Sequence, residues 1–290
     1  MQASDTPPPR DRRSGAAADV ERREPSRLGS RRPAAVAAAR ARAEPRLQRH
    51  ETRTLAIDIG GTGIKASVLD ERGALLAAKV RVETPVGEPP PRLLRALGRL
   101  VRSLPRFDRV SVGFPGAIAD GKVLTAANLY HRDWIGFDLG RALESQFRRP
   151  VRVANDVALQ GLGAIRRQGF ELVMTLGTGV GSALYLNGLL VPQFSLSRYE
   201  ARPHTTYDAL LNDLALKERG VTRWNKRLKE AIRTLRWTVH YDRLYIGGGN
   251  AKAIRFEPGA RVTIISNEAG IRGGIALWQS PRRPPSPASR

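Results

Sequence analysis

Two glycine-rich turns carry the clearest chemical signal: Asp58-Ile59-Gly60-Gly61-Thr62-Gly63 and Leu176-Gly177-Thr178-Gly179-Val180-Gly181. Glycine allows positive φ and close backbone approach, so successive N–H groups in such turns can converge on an anion. The threonine hydroxyls add donors for phosphate oxygens. One turn of this kind is an ordinary hairpin. Two of them, each opening one half of the chain between apolar strands, predict two facing lobes that grip one phosphate chain.

Three further features fit that reading. Asp58 stands at the mouth of the first turn, where a carboxylate repels phosphate unless a cation intervenes. Its natural role there is to hold Mg²⁺, directly or through water, since that metal keeps most of its waters; the alternative is a turn cap. Asn155-Asp156 follows an apolar strand and precedes a helical segment. A carboxylate so placed can accept a hydroxyl proton while the helix N-terminus tempers its charge. The competing reading is a helix cap, and the position between the two glycine turns favours the base. Gly247-Gly248-Gly249-Asn250 closes another strand and either lets a flat group lie on the backbone or forms a plain loop.

The elements that must position these residues alternate between strand and helix. Thr54–Asp58 and Ile64–Leu69 read as strands around the first turn, and Leu75–Val82 as a third. Arg92–Leu104 has helical spacing of leucines. Val110–Gly113 and Val151–Ala154 are short buried strands, with a helix over Val157–Arg167. Leu172–Leu176 and Ser182–Leu186 then repeat the opening arrangement of strand, glycine turn and strand. Tyr207–Trp237 is a long helical region, Leu244–Ile246 a strand and Glu268–Trp278 a closing helix. The alternation predicts an α/β fold.

Composition bounds the function. The chain has 290 residues, 49 basic against 27 acidic, and a net charge of +22. Such a charge favours polyanions, although an arginine-biased composition without a specific partner has the same effect. Zero cysteines exclude disulfides, thiolate metal sites and cysteine nucleophiles, in keeping with a cytoplasmic protein. No apolar run reaches the length of a membrane span, so no membrane partner is expected. Residues 1–52 and 279–290 mix proline and arginine without apolar periodicity and read as disordered tails. His131, His204 and His240 are scattered, and no structural zinc is expected.

Taken in order, Asp58 to Lys65, Gly113-Phe-Pro-Gly116, Asn155-Asp156, Leu176 to Gly181 and Ile246 to Gly249 resemble the ROK family of repressors, open reading frames and kinases. Thr125-Ala-Ala-Asn128, Trp134-Ile-Gly136, Thr175–Leu184 and Leu190-Val-Pro192 are similar to its polyphosphate/ATP glucokinase branch. The likeness runs from about Leu55 to Trp278. It implies the two-lobed actin-like/hexokinase (ribonuclease H-like) ATPase fold, with lobes at 53–154 and 155–278, the second including the closing helix. It implies a sugar kinase that moves a phosphoryl group from polyphosphate, ATP or both to the 6-hydroxyl of glucose or a similar hexose, with Mg²⁺ as cofactor. Asp156 matches the catalytic base, and Asn155 and Asn128 match sugar-binding positions. Gly60, Gly61, Thr62 and Lys65 match the first phosphate loop, with Asp58 near the metal. Gly177, Thr178 and Gly179 match the second loop, and Gly247, Gly248 and Gly249 the far end of the donor. A homodimer is left open.

One departure stands out. Where family kinases carry Glu-x-Gly-His against the sugar, this chain has Ser195, Ser197 and Arg198 for the glutamate, glycine and histidine. Losing a charged hydrogen-bond partner costs about 1.5–3 kcal/mol, roughly ten- to hundredfold in binding. Glu200 is the candidate substitute, and Arg198 suits an anionic substrate instead. A catalytically weakened sugar-binding or regulatory protein is therefore the alternative reading. Family regulators bind nucleic acid through an N-terminal winged helix, and this proline-rich tail is too poor in large apolar residues to form one. The basic run Arg223, Lys226, Arg227, Lys229 and Arg233 offers either a polyphosphate track or a solvated helix face.

Overall fold

The chain builds the same five-stranded pattern twice. In the computed structural model, which describes residues 51–126, 129–191, 195–266 and 269–279, the first sheet takes β1 (Thr54–Ile59), β2 (Gly63–Leu69), β3 (Val80–Glu83) and β4 (Arg109–Phe114). A small hairpin, β5 (Ile118–Ala119) and β6 (Lys122–Val123), precedes its last strand, β7 (Val151–Asn155). The order is β3-β2-β1-β4-β7, with β1–β2 and β2–β3 antiparallel and β1–β4 and β4–β7 parallel. The second sheet uses β8 (Phe170–Leu176), β9 (Val180–Leu186), β10 (Leu189–Val191), β13 (Arg243–Gly247) and β14 (Val262–Ile264). Its order is β10-β9-β8-β13-β14, with the same two antiparallel and two parallel pairings. In both sheets the antiparallel pair at the centre is joined by a glycine turn. Between β10 and β13 lies the short pair β11 (Glu200–Arg202) and β12 (Thr205–Thr206).

Each sheet has its own apolar core. The first gathers Leu55, Ile57, Val110, Val112 and Phe114 against Leu93 and Leu97 of helix α1 (Pro90–Leu100) and Leu139 and Leu143 of α2 (Leu139–Phe147). Proline at the first position of α1 presets φ where no intrahelical donor is needed. Helix α3 (Asp156–Leu162) runs straight out of β7. The second core joins Leu172, Met174, Leu244 and Ile246 to Trp224, Leu228, Ile232 and Leu235 of a long helical stretch.

That stretch is two helices, α4 (Tyr207–Leu211) and α5 (Asp213–Val239), where the periodicity predicts a single run. Asn212 separates them, extended at ψ 175° and capping α5 by accepting from the Ala215 N–H at 2.8 Å. A further break falls at Gly220 (φ 73°, ψ 159°), a backbone state that glycine alone adopts freely. The expected strand from Leu75 shrinks to Val80–Glu83. Leu75 and Leu76 are 48% and 43% exposed, so that segment has no apolar face to bury, and Leu75 makes only an isolated bridge to Leu69. The helix expected to reach Arg167 stops at Leu162, where the Ala164 N–H turns back to the Gly161 carbonyl at 2.8 Å; the Gly163 backbone there lies so close to the Ala269 carbonyl that no side chain fits between.

The closing helix, α6 (Ala269–Gln279), packs against the first sheet although sequence order puts it with the second lobe. Ile271 and Ile275 cover Ala56 and Leu69. The Ser111 hydroxyl donates to the Gly274 carbonyl at 2.6 Å and accepts from the Trp278 indole N–H at 2.8 Å. The guanidinium groups of Arg109 and Arg152 lie over the Trp278 ring, 5.1 and 4.7 Å from its centre. Helix α6 also meets α3 backbone to backbone, since a Cβ on Gly273 would overlap the Leu159 carbonyl. These two helices thus tie the start of the second half of the chain to its end. Glu268, the expected first residue of this helix, lies outside the described residues.

Candidate active site

A single cleft of about 2180 Å³ receives both glycine turns. Asp58, Gly60, Gly61 and Lys65 line it from the β1–β2 side. Gly177, Thr178 and Gly179 line it from the β8–β9 side, together with Gly248 and Gly249. Asn155 and Asp156 form part of the same wall, at the β7–α3 junction.

The turns are stiffened by their own hydrogen bonds. The Gly60 N–H donates to the Gly63 carbonyl at 3.0 Å, and the Gly60 carbonyl accepts from the Thr84 hydroxyl at 2.6 Å. In the second turn the Gly177 N–H donates to the Gly179 carbonyl at 3.1 Å. Helices α4 and α5 pin this turn in a way that the motif does not reveal. The Asp208 carboxylate accepts from the Val180 N–H at 2.8 Å, and the Gly177 carbonyl accepts from the Asp213 N–H at 2.7 Å. Asp208 and Asn212 line the cleft, and sequence reasoning did not single out either. Their one available signal is the pair of capping-type residues four apart where the helical pattern begins.

Asn155 is the N-cap of α3. Its side-chain oxygen accepts from the Val157 and Ala158 N–H groups at 3.0 and 3.1 Å, and its amide donates to the Gly116 carbonyl at 3.1 Å. The cap thus orients the neighbouring Asp156, whose carboxylate accepts from the Val157 N–H at 2.8 Å. Burial first, and then the nearby charge of Asp58, push the Asp156 carboxyl up to about 7 against the opposing hydrogen bonds of Val157 and Asn155. Burial also raises Asp58, partly offset by Lys65, its partner across the β1–β2 pair. Two desolvated carboxyls in one cleft resist joint ionisation, and one that titrates near 7 can take a proton from a hydroxyl.

The donor set also suits a hard cation. Among the described residues no cluster of three or more His, Cys, Asp or Glu side chains could cage a metal. Asp58, half-buried and sharing the cleft with both glycine turns, offers a carboxylate of the kind that Mg²⁺ uses while keeping its waters.

Some expected residues stand elsewhere. Thr62 is exposed at the tip of its turn and does not line the cleft. Gly247 is buried in packing, where a Cβ would press on the Gln160 amide and Ile265. Glu200 is exposed on β11, whose pairing with β12 fixes its backbone, and it does not reach the cleft wall to stand in for the missing glutamate. Ser195, Ser197 and Arg198 do line the cleft. Asn128 lies outside the described residues.

Two sheets of one topology around a cleft that takes in both glycine turns define the actin-like/hexokinase fold. The ROK family profile matches residues 54–192. Polyphosphate glucokinase of Mycobacterium tuberculosis (strain ATCC 25177 / H37Ra) is 28% identical over 235 residues, 75% of this chain and 88% of that protein. The crystal structure of the inorganic polyphosphate/ATP-glucomannokinase from Arthrobacter sp. strain KM is 30% identical, covers 79% of this chain and 100% of its own, and superposes with a TM-score of 0.68. A ROK family glucokinase from Streptomyces griseus, in complex with glucose and AMPPNP, shares the fold at 19% identity over 79% of this chain and all of its own (TM-score 0.59). The chain belongs to the ROK family.

Proposed function

We propose that the protein is a hexose kinase that transfers a phosphoryl group from polyphosphate, ATP or both to the 6-hydroxyl of glucose or a similar hexose. The observation that carries this reading is Asp156: a buried carboxyl held near 7, in one cleft with both glycine turns. The polyphosphate and ATP donors named for the relatives support the choice of donor.

In this mechanism Asp156 takes the proton of the sugar hydroxyl as its oxygen attacks the terminal phosphorus. The bond from phosphorus to the bridging oxygen breaks, and the shortened donor keeps that oxygen and its electrons. Backbone N–H groups at the tips of the two glycine turns, other than those of Gly60 and Gly177 that close the turns, orient the phosphates in line with the acceptor. Asp58 would hold Mg²⁺, directly or through the metal's waters, and the metal would supply positive charge to offset that on the phosphate oxygens. Lys65 balances Asp58 and adds positive charge beside the first turn. Asn155 fixes the start of α3 and hence the direction of the Asp156 carboxylate. The test is a coupled assay with Mg²⁺ and glucose, offering ATP and polyphosphate in turn.

A second reading, a weakened sugar-binding or regulatory protein, is favoured by Ser195, Ser197 and Arg198 in the cleft wall. Glucose binding without turnover by either donor would select it.

A further inference from the structure

A second concavity of about 440 Å³ lies between α5 and the segment leading into β14, and it shares no residue with the active-site cleft. Lys226, Lys229, Arg233 and Arg236 line it from α5, and Arg261 faces them across the groove. All five are exposed. Of the two carboxylates in the groove, Glu230 is already bound by Arg202, leaving Glu257 against five cations. Arg236 and Arg261 converge near the Tyr241 hydroxyl, whose pKa they lower against the larger raising effect of burial. Five like charges around one groove repel one another and favour a ligand that brings several negative charges at once.

We propose that this groove is a docking site for inorganic polyphosphate, separate from the catalytic cleft. A chain of phosphates supplies a negative charge at every unit and needs neither base stacking nor a hydrophobic slot. The basic rim of the groove matches that chemistry, and of its two aromatic residues Tyr241 is only 3% exposed and Phe256 is partly buried against the second core, which leaves little ring face for a nucleic-acid base. Lys226 stands 14 residues from Asn212 in the cleft, roughly 21 Å at about 1.5 Å per helical residue, with the break at Gly220 between them. A long polyphosphate can therefore occupy the groove while its end lies in the cleft, whereas ATP cannot. This coupling to the cleft rests on the kinase reading; binding in the groove does not.

The experiment measures binding of long-chain polyphosphate at about 0.15 M salt, where diffuse surface attraction is screened over roughly 8 Å. Three neutralised proteins are compared in the turnover-deficient Asp156→Asn background: the triple Lys226→Gln/Lys229→Gln/Arg233→Gln, the single Arg261→Gln, and the triple Arg92→Gln/Arg95→Gln/Arg99→Gln on α1. The last removes the same charge from another exposed helix face. The expected result is a loss of about tenfold or more for the groove triple and a smaller loss for Arg261→Gln, with a near-unchanged affinity for the α1 triple, because released counterions scale with local contacts. Equal losses in the two triples would overturn the proposal in favour of net charge alone. Tighter binding of a single-stranded oligonucleotide than of polyphosphate by the parent protein would overturn the choice of ligand. Wild-type turnover, assayed separately, reports on the kinase reading, so the two can fail independently.

Discussion

At the scale of single residues, Asp156 couples function to stability. Its pKa is 3.8 in an unfolded chain and about 7 in the folded protein. Between those values the folded state binds more protons, so stability falls as pH rises through that window, and the cost persists above it. Asp156→Asn removes the cost. It is expected to stabilise the protein by roughly 1–3 kcal/mol at pH 8, read by denaturant unfolding, while turnover drops at least a hundredfold. In the wild type kcat/KM is expected to fall below about pH 7 as the base becomes protonated. Asp58→Asn removes the like charge that raises Asp156, so the inflection of any residual activity should move to lower pH. An unmoved inflection would detach the two carboxyls. Ser195→Glu tests the altered wall, with an expected fall of about tenfold or more in the KM for glucose if a carboxylate there reaches the sugar. Asp156 and Asn155 were legible as a strand-to-helix pair, and so was their cap geometry. Asp208 was not, because its bond to Val180 joins positions 28 apart in the chain, and no local pattern records such a contact.

At the scale of elements, close backbone approaches decide the architecture. Gly248 (φ 88°) sits where a Cβ would overlap the backbone of Leu176, at the base of the second turn. The triple glycine was visible in the sequence, but its reason was not, since it depends on which strand lies beside it. Gly248→Ala combines an unfavourable φ with that overlap and is expected to cost about 2–4 kcal/mol, measured by thermal or chemical unfolding. Gly273 plays the same part between α3 and α6. Strands β1, β2, β8 and β9 were legible directly, because each is an apolar run flanking a glycine turn. The breaks at Asn212 and Gly220 were harder to read: the helix caps are common residues, and apolar spacing continues across both.

At the scale of the whole molecule, the repeated pattern of strand, glycine turn and strand announced a duplicated fold, and both sheets follow it. The return of α6 to the first sheet was not legible. It is placed by contacts remote in sequence: Ile271 and Ile275 on Ala56 and Leu69, and the Ser111 bonds to Gly274 and Trp278. A sugar that binds the folded cleft adds to stability by mass action. Glucose at about a hundred times its dissociation constant is expected to add about 2.7 kcal/mol and raise the unfolding temperature by several degrees. No shift at saturating glucose would place another molecule in the cleft.

The most direct measurement is glucose 6-phosphate formation by the purified protein with Mg²⁺, using polyphosphate and ATP in parallel, beside Asp156→Asn. The account predicts turnover with at least one donor and its loss in the variant. Turnover that survives in Asp156→Asn would contradict the assignment of the base, and its absence with both donors in the wild type would contradict the kinase.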